Sequence, residues 1–281
     1  MALALLVAAL AALSAPAPTL VRYEILESTR ALTPAGSREV ALKGTVVTAS
    51  GKARWETPGA PLPGVAARAA VFDGANLFLL DPEASVVSPV SLEEFDGLFQ
   101  APPGPRETAS AAVKDLVAWV AADGGGKLSD GAPTLRWKAS CAYTLVTAQP
   151  GRLVRVRHEI HGTIETLDGG GLAPTPFDDL LRLFRVRGEA REALELELRK
   201  VTGLPVRVRL DATSEALVEG VGADGGAGTA RPAKSTSTST RTVSILERRP
   251  MTKDDAVLFS VPDAYRTVSF ERLRTGGSPK P

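Results

Sequence analysis

Most of the chain alternates between apolar and polar residues with a period of two. Between Val206 and Asp211, every second residue is valine or leucine, and the residues between them are charged. Neighbouring side chains of a β-strand point to opposite faces, so this pattern predicts strands with one buried and one wetted face. A similar pattern occurs at 21–27, 39–47, 52–57, 153–157, 194–198 and 241–246. The sequence therefore predicts a mainly β fold.

Turn signals separate several of these strands. Asp73-Gly74 lies between the apolar runs Ala69–Phe72 and Asn76–Leu80, which is a strong signal for a β-hairpin. Asp81-Pro82 ends the second strand of that hairpin. We expect antiparallel neighbours here.

Few segments favour helix. Thr108–Ala122 carries apolar residues at helical spacing and is followed by the glycine run 124–126, which predicts a helix and its C-terminal stop. Pro176–Phe184 predicts a shorter helix. Residues 220–240 are rich in Gly, Ser, Thr and Ala without apolar periodicity, and this composition predicts a low-complexity loop between strands.

The N-terminus differs from the rest of the chain. Residues 1–13 are apolar and uncharged, small residues follow, and Arg22 is the first charge. This pattern is typical of a secretory signal peptide, and we predict cleavage after Ser14. An uncleaved anchor is the alternative, although the apolar run is shorter than the ~20 residues of a membrane span. We expect a periplasmic or secreted protein with a signal peptide at 1–14 and one domain at 20–274.

Composition argues against several classes of partner. The 281 residues include 33 Lys or Arg and 32 Asp or Glu, so the net charge is only +1, and 5% of residues are aromatic. Nucleic-acid binding depends on clustered positive charge and on aromatic stacking, so we predict no nucleic-acid partner. Cys141 is the single cysteine and forms no internal disulfide. Its neighbours are uncharged, which predicts a buried, unreactive thiol.

The motifs that could suggest catalysis or metal binding have simpler interpretations. His158 and His161 are the two histidines, and residues three apart on a strand point to opposite faces, so we predict no shared metal. The glycine run 124–126 before Lys127 lacks the spacing of a phosphate-binding loop. The pairs Asp178-Asp179 and Asp254-Asp255 fit helix starts, with Thr252 as a cap. Arg152, Arg155 and Arg157 fit a solvated strand face. We predict no catalytic residues, no metal and no cofactor.

Four segments together resemble a known family. Gly44–Val47, Ala53–Glu56, Val71–Gly74 and Leu77–Pro82 are similar, in order and spacing, to the LolA family of periplasmic lipoprotein carriers. Asp255–Tyr265 resembles the closing strand of these proteins and of related exported families. The resemblance implies a strongly curved antiparallel sheet, an incomplete β-barrel, with helices on its concave side and an apolar cavity for acyl chains.

The resemblance has three gaps. The helix that the family has before its first strand is not evident in this sequence. The family carries an Arg-Pro pair shortly before the tryptophan strand, and the arginine helps to latch its lid; this chain has Ala49-Ser50-Gly51 there. Residues 100–193 do not match the family. The resemblance thus predicts the fold of this chain more strongly than it predicts the carrier mechanism.

The leading functional prediction is an exported, monomeric binding protein for lipid or acylated protein that contacts a membrane only peripherally. The run Leu77–Leu80 is apolar on both faces, so something must cover each face. The predicted ligand contacts are Trp55, Phe72, Phe78 and Leu80. The alternative is a cell-envelope interaction or structural module that holds a protein partner on the curved sheet. A third hypothesis is a hydrolase whose residues come together from distant strands.

Overall fold

A computed structural model describes residues 18–33, 36–62, 64–99, 112–128, 131–149, 152–167, 180–186, 188–220 and 233–274. The strands are β1 (Thr19–Thr33), β2 (Gly36–Ala49), β3 (Lys52–Glu56), β4 (Ala69–Phe72), β5 (Leu77–Asp81), β6 (Val86–Val90), β7 (Ala112–Lys127), β8 (Pro133–Gln149), β9 (Arg152–Leu167), β10 (Leu204–Gly220), β11 (Ala233–Pro250) and β12 (Arg266–Thr267). The helices are α1 (Leu92–Phe99), α2 (Leu180–Phe184), α3 (Gly188–Leu198) and α4 (Phe270–Arg274), with a 3-10 helix at Asp254–Phe259.

All the described strands belong to one sheet. Its order is β12-β6-β5-β4-β3-β2-β1-β11-β10-β9-β8-β7. Neighbours are antiparallel, except that β12 pairs parallel with β6. The two outer strands, β12 and β7, do not pair with each other within the described residues. The predicted fold class, an incomplete antiparallel barrel with a few helices, is therefore confirmed.

The sheet has a short-stranded and a long-stranded part. Strands β3 to β6 contain four or five residues each. Strands β1, β2 and β7 to β11 contain 14 to 18 residues each. At about 3.3 Å per residue, the long strands reach roughly 45–60 Å. Much of their length therefore extends beyond the helices and loops that pack on the short strands.

The short-stranded part is covered on both faces. On one face, Leu79 packs in the main apolar cluster with Trp55 and with Phe95 of α1. On the other face, Leu80 packs in a smaller cluster with Val261 and Tyr265. The apolar character of both faces of β5, visible in the sequence, is thus explained by coverage from α1 on one side and the C-terminal segment on the other.

The helix predicted at Thr108–Ala122 is wrong over its described residues, which form the first part of β7. The register of β7 against β8 shifts between Lys114 and Val117, and Asp115 adopts φ +53° within this bulge. Because a bulge adds a residue, Val113 and Leu116 both reach the main cluster despite their spacing of three. The bulge therefore reproduces helical spacing within a strand.

The strand predicted at Leu194–Leu198 is also wrong, because these residues end α3. Ala190 and Leu194 are the buried residues of this helix and lie four positions apart. Five residues that alternate Leu and Glu are too few to distinguish the two periods. The helical spacing can be recognised in the sequence only when Ala190 is considered together with Leu194.

The structure also bears on three further predictions, which concern the glycine run, the loop at 220–240 and the short helix at 176–184. The glycines 124–126 do not stop a helix but lie in β7, where an added Cβ at Gly125 would stand 2.8 Å from the carbonyl oxygen of Thr134. Residues 233–240, predicted as loop, belong to β11, while 221–232 lie outside the described residues. The short helix predicted at Pro176–Phe184 is present as α2, and 176–179 lie outside the described residues.

Candidate functional site

One face of the sheet carries the main core, and we call it the inner face. Val243 of β11 pairs with Ile25 on one side and with Val208 on the other. Val208 pairs in turn with Ile164 of β9. All four residues belong to the main apolar cluster or pack against it. The inner face is therefore continuous across the central long strands.

Farther along the long strands, the inner face of β7 to β10 carries apolar residues that are only half-buried. We call this surface the inner floor, and it consists of Val113, Leu116, Leu145, Val154, Val156, Ala212, Ala216 and Val218. Leu145 pairs with Val113 on one side and with Val156 on the other, and Val156 pairs with Ala216. Val113, Leu145, Val156 and Ala216 thus form an apolar row four strands wide within the inner floor.

Helix α3 packs on the inner face where the inner floor ends. Its Leu194 joins the main cluster, which also contains Val120 of β7. The backbone N–H of Val120 donates to the Glu197 carboxylate at 2.8 Å. This contact fixes the helix over β7 and leaves the inner floor beside it.

A polar row crosses the inner floor itself, between Ala212 and Ala216. His158 Nδ1 and the hydroxyl of Ser214 are hydrogen-bonded at 2.8 Å, and the imidazole stacks on Tyr143 with ring centroids 4.7 Å apart. Burial lowers the pKa of His158 below its ordinary value of 6.5. The imidazole is therefore neutral at neutral pH, and it acts as a packed, hydrogen-bonded part of the wall.

A charged cluster lies on the inner face between β1, β11 and the end of α2. Glu27 and Arg241 are cross-strand partners, and Arg241 Nε donates to the Glu27 carboxylate at 3.3 Å. Arg185 donates to the other oxygen of Glu27 at 2.5 Å. Arg241 also donates to the carbonyl oxygen of Leu183 at 2.8 Å. Two guanidinium groups thus share one carboxylate, and we call Glu27, Arg185 and Arg241 the arginine cluster.

The sequence carries a signal for two members of this cluster, Glu27 and Arg241. Val21, Tyr23 and Ile25 occupy alternate positions of β1, and the next position on the same face is Glu27. Arg241 similarly continues the inner-face series of Val243. A charged residue in the apolar phase of a strand indicates a buried partner of opposite charge. Arg185, which is distant in sequence, could not be found in this way.

The structure separates the four predicted ligand contacts. Trp55 and Phe72 lie on the inner face of the short strands, within or against the main cluster. Phe78 and Leu80 lie on the opposite face with Val71 in the smaller cluster. The four residues therefore do not line a common surface.

The histidines point to opposite faces, as predicted. His158 contacts Ser214 on the inner face, whereas His161 contacts Ser140 on the outer face at 3.0 Å. Among the residues that the structure describes, no group of three or more His, Cys, Asp or Glu side chains is placed to hold a metal ion. Cys141 is buried, and its burial raises the pKa of the thiol to about 11, which keeps it protonated.

The arginine-rich segment of β9 has the solvated character predicted for it. Arg155 and Arg157 are exposed. Arg155 pairs with Glu219 at 3.7 Å, and Arg157 pairs with Glu159. The pair Asp178-Asp179 lies outside the described residues.

The second acidic pair begins the 3-10 helix, but the predicted cap is reversed. The hydroxyl and the backbone N–H of Thr252 both donate to the Asp255 carboxylate at 2.7 Å. Arg249 donates to both oxygens of Asp255, each at 2.7 Å. Thr252 is therefore a donor to the acid rather than a cap for the helix. The carboxylate ties the 3-10 helix to the end of β11.

This arrangement predicts an acid-sensitive contribution to stability. The hydrogen bonds from Arg249 and Thr252 lower the pKa of Asp255 below its ordinary value of 3.8. A lowered pKa stabilises the fold fully above the unfolded value, and the contribution is lost as the pH falls toward the folded value. We expect Asp255→Asn to lower the melting temperature at pH 7, and the difference from the unmodified protein to shrink between pH 4 and pH 2.

The control for this measurement is Asp254→Asn, because Asp254 is exposed in the same turn. Melting curves followed by circular dichroism at several pH values give both differences. A difference for Asp255→Asn that stays constant from pH 7 to pH 2 would contradict the assignment.

No helix among the described residues has the length and hydropathy needed to cross a bilayer. No family model matches the sequence, and no curated protein matches it. Solved structures do match the fold. An uncharacterized conserved protein from Thermus thermophilus aligns with 88% of this chain and 90% of its own, at 9% identity and a TM-score of 0.29.

Two further solved structures also align with most of the chain. One is described as an outer membrane lipoprotein-sorting protein domain from Vibrio parahaemolyticus; it aligns over 88% of this chain and 93% of its own, at 8% identity and a TM-score of 0.25. A DUF1329 family protein from Desulfovibrio piger aligns over 91% and 94%, at 11% identity and a TM-score of 0.20. At these scores, function has to be argued from the side chains of this chain.

Proposed function

We propose that this protein is an exported binding protein that holds the acyl chain of a lipid against the inner floor. The observation that carries the proposal is the inner floor itself, which is apolar across four strands and half-buried. Soluble proteins rarely leave a continuous apolar surface without a partner. The signal-peptide pattern of residues 1–14 supports the exported part of the proposal.

The length of the inner floor suits an acyl chain. Ala212 to Val218 spans about 20 Å along β10 at about 3.3 Å per residue. Each buried CH₂ contributes about 0.8 kcal/mol, so a ten-carbon chain supplies about 8 kcal/mol before ordering costs. This corresponds to an affinity near the micromolar range if those costs are small. Binding of a ten-carbon amphiphile is therefore measurable.

The proposal keeps part of the predicted contact set. Trp55 and Phe72 lie on the same face of the sheet as the inner floor, with β2, β1 and β11 between, and they remain proposed contacts. Phe78 and Leu80 lie on the other face beneath Val261 and Tyr265, so a ligand on the inner floor does not reach them.

Adjacent residues of β8 provide a matched test. Leu145 lies on the inner floor, and Val146 is a half-buried apolar residue on the opposite face. We expect Leu145→Asn to weaken the binding of a fluorescent fatty acid, cis-parinaric acid, by about 10-fold, because a buried leucine contributes about 1.5–3 kcal/mol. Val146→Asn should leave the affinity within about 2-fold. Fluorescence titration at pH 7.5 with detergent-free protein measures both.

Equal losses in the two variants, or no binding by the unmodified protein, would contradict lipid binding on the inner floor. In that case the interaction-module hypothesis takes its place. Leu26 and Leu246, which are exposed large apolar residues of β1 and β11, would then be the first candidates for a protein contact.

A further inference from the structure

The charge of the arginine cluster is not balanced within the described residues. Two guanidinium groups face one carboxylate, Glu27, and the contacts of the described chain bring no second acid to them. The side chains of Glu27 and Arg241 are each about 10% exposed and that of Arg185 is 28% exposed. A buried excess of one positive charge is costly unless an anion neutralises it.

Electrostatics within the cluster point the same way. Burial is the main cause that lowers the pKa of Arg241, and the charge of Arg185 lowers this pKa further. Glu27 opposes both effects. The two arginines thus repel each other across the acid that they share. An added anion would relieve this repulsion.

The cluster also keeps hydrogen-bond donors available. Arg241 uses Nε and Nη1, and Arg185 uses one terminal nitrogen. A guanidinium group carries five N–H donors in a fixed fork that matches carboxylate or phosphate oxygens. Within the described part of the chain, Arg185 Nε and Nη1 and Arg241 Nη2 form no hydrogen bond. These donors suit an oxyanion that approaches from the more exposed side, at Arg185.

Small residues lie beside the cluster on the inner face. Arg241 pairs with Leu210 across β10, and the next inner-face residues along these strands are Ser239 and Ala212. Both are small, and they connect the cluster to the inner floor. An amphiphile with its head at the arginine cluster would lay its tail over Ala212 and Ala216.

We propose that Arg185 and Arg241 bind the anionic head of the lipid whose chain lies on the inner floor. The head is a carboxylate or a phosphate, the oxyanions that this donor geometry recognises. The inference rests on the proposed function. It implies that the ligand is a free acidic amphiphile whose head points inward, because an acyl chain linked as an amide to a protein has no charged head to offer.

The test compares decanoate, decanol and decyl phosphate by isothermal titration at pH 7.5 with detergent-free protein. The unmodified protein is expected to bind decanoate at least 10-fold more tightly than decanol. Arg185→Gln leaves Glu27 and Arg241 paired one to one, so the fold should be kept. This variant should lose about 10-fold in decanoate affinity and keep its decanol affinity. The matched control is Arg209→Gln, an exposed arginine on the outer face of β10, which should change neither.

The outcomes separate the two proposals. Equal binding of decanoate and decanol, unchanged in Arg185→Gln, would overturn the head-group site and leave acyl binding standing. Failure of all three amphiphiles to bind would overturn both. Of the two supporting outcomes, tighter binding of decyl phosphate than of decanoate indicates a phospholipid-type head, and the reverse order indicates a free fatty acid.

Discussion

Replacing Trp55 with alanine is expected to lower the free energy of unfolding by about 3–5 kcal/mol, the range for removal of a buried large aromatic side chain. Trp55 is only 7% exposed. Its ring meets that of Phe95 edge to face, with centroids 6.3 Å apart and an interplanar angle of 80°. An added Cβ at Gly44 would stand 2.5 Å from the indole nitrogen, so the ring fills the space over β2 tightly. Alanine would leave a large cavity between β3 and α1.

Trp119→Ala is the matched control for this prediction. Trp119 lies on the outer face of β7 and is 41% exposed, so its loss should cost no more than about 1 kcal/mol. Urea denaturation followed by far-ultraviolet circular dichroism measures both variants. Similar costs for the two tryptophans would show that Trp55 is not a core residue. Trp55→Phe keeps a ring against Phe95, so it should keep most of the packing. A loss of ligand binding in this variant would therefore report a lost ligand contact and not lost packing.

The strands could be predicted from sequence wherever the phase of the alternation is unbroken. The hairpin around Asp73-Gly74 is an example: its two runs form β4 and β5 in the expected antiparallel pairing. The pattern failed where a local irregularity changed the phase. In β7, the bulge beside Asp115 brought residues three apart to one face, and the same spacing defines a helix.

The candidate site was harder to predict than the fold, because its residues lie far apart in the sequence and only the pairing of the strands brings them together. The inner floor combines residues from four strands, and each strand contributes only one to three of them. Sequence alone favoured the large aromatic residues of the short strands, such as Trp55 and Phe78, because burial is strongest there. In the structure, the chain itself covers that part on both faces. The half-buried apolar surface lies instead on strands whose partners the sequence does not specify.

Replacing Glu27 with glutamine is expected to destabilise the fold by about 3–5 kcal/mol, which corresponds to roughly 6–20 °C in melting temperature for a chain of this size. The substitution keeps the shape of the side chain and removes its charge. Arg185 and Arg241 would then face each other without the carboxylate to which both donate. Breaking a buried ion pair in this way costs more than the pair contributes, because it leaves charge uncompensated.

Two comparisons isolate the cause. Glu24→Gln removes a carboxylate from the same strand, where Glu24 pairs with the largely exposed Lys43 at 2.5 Å, and it should cost at most about 1 kcal/mol. In the double variant Glu27→Gln with Arg185→Gln, one of the two arginines is removed, so part of the lost stability should return. Such non-additivity is expected only for residues that interact directly. Additive effects would show that the three groups do not act as one cluster.

An anionic ligand should distinguish the Glu27→Gln variant from the unmodified protein. If Arg185 and Arg241 bind the head of an acidic amphiphile, glutamine at position 27 leaves a greater excess of positive charge for the same anion to neutralise. Decanoate should therefore raise the melting temperature of Glu27→Gln by more than it raises that of the unmodified protein, since tighter binding to the folded state gives a larger stabilisation at the same ligand concentration. Decanol should raise both by the same amount. An equal response of the two proteins to decanoate would place the head of the bound amphiphile away from the arginine cluster.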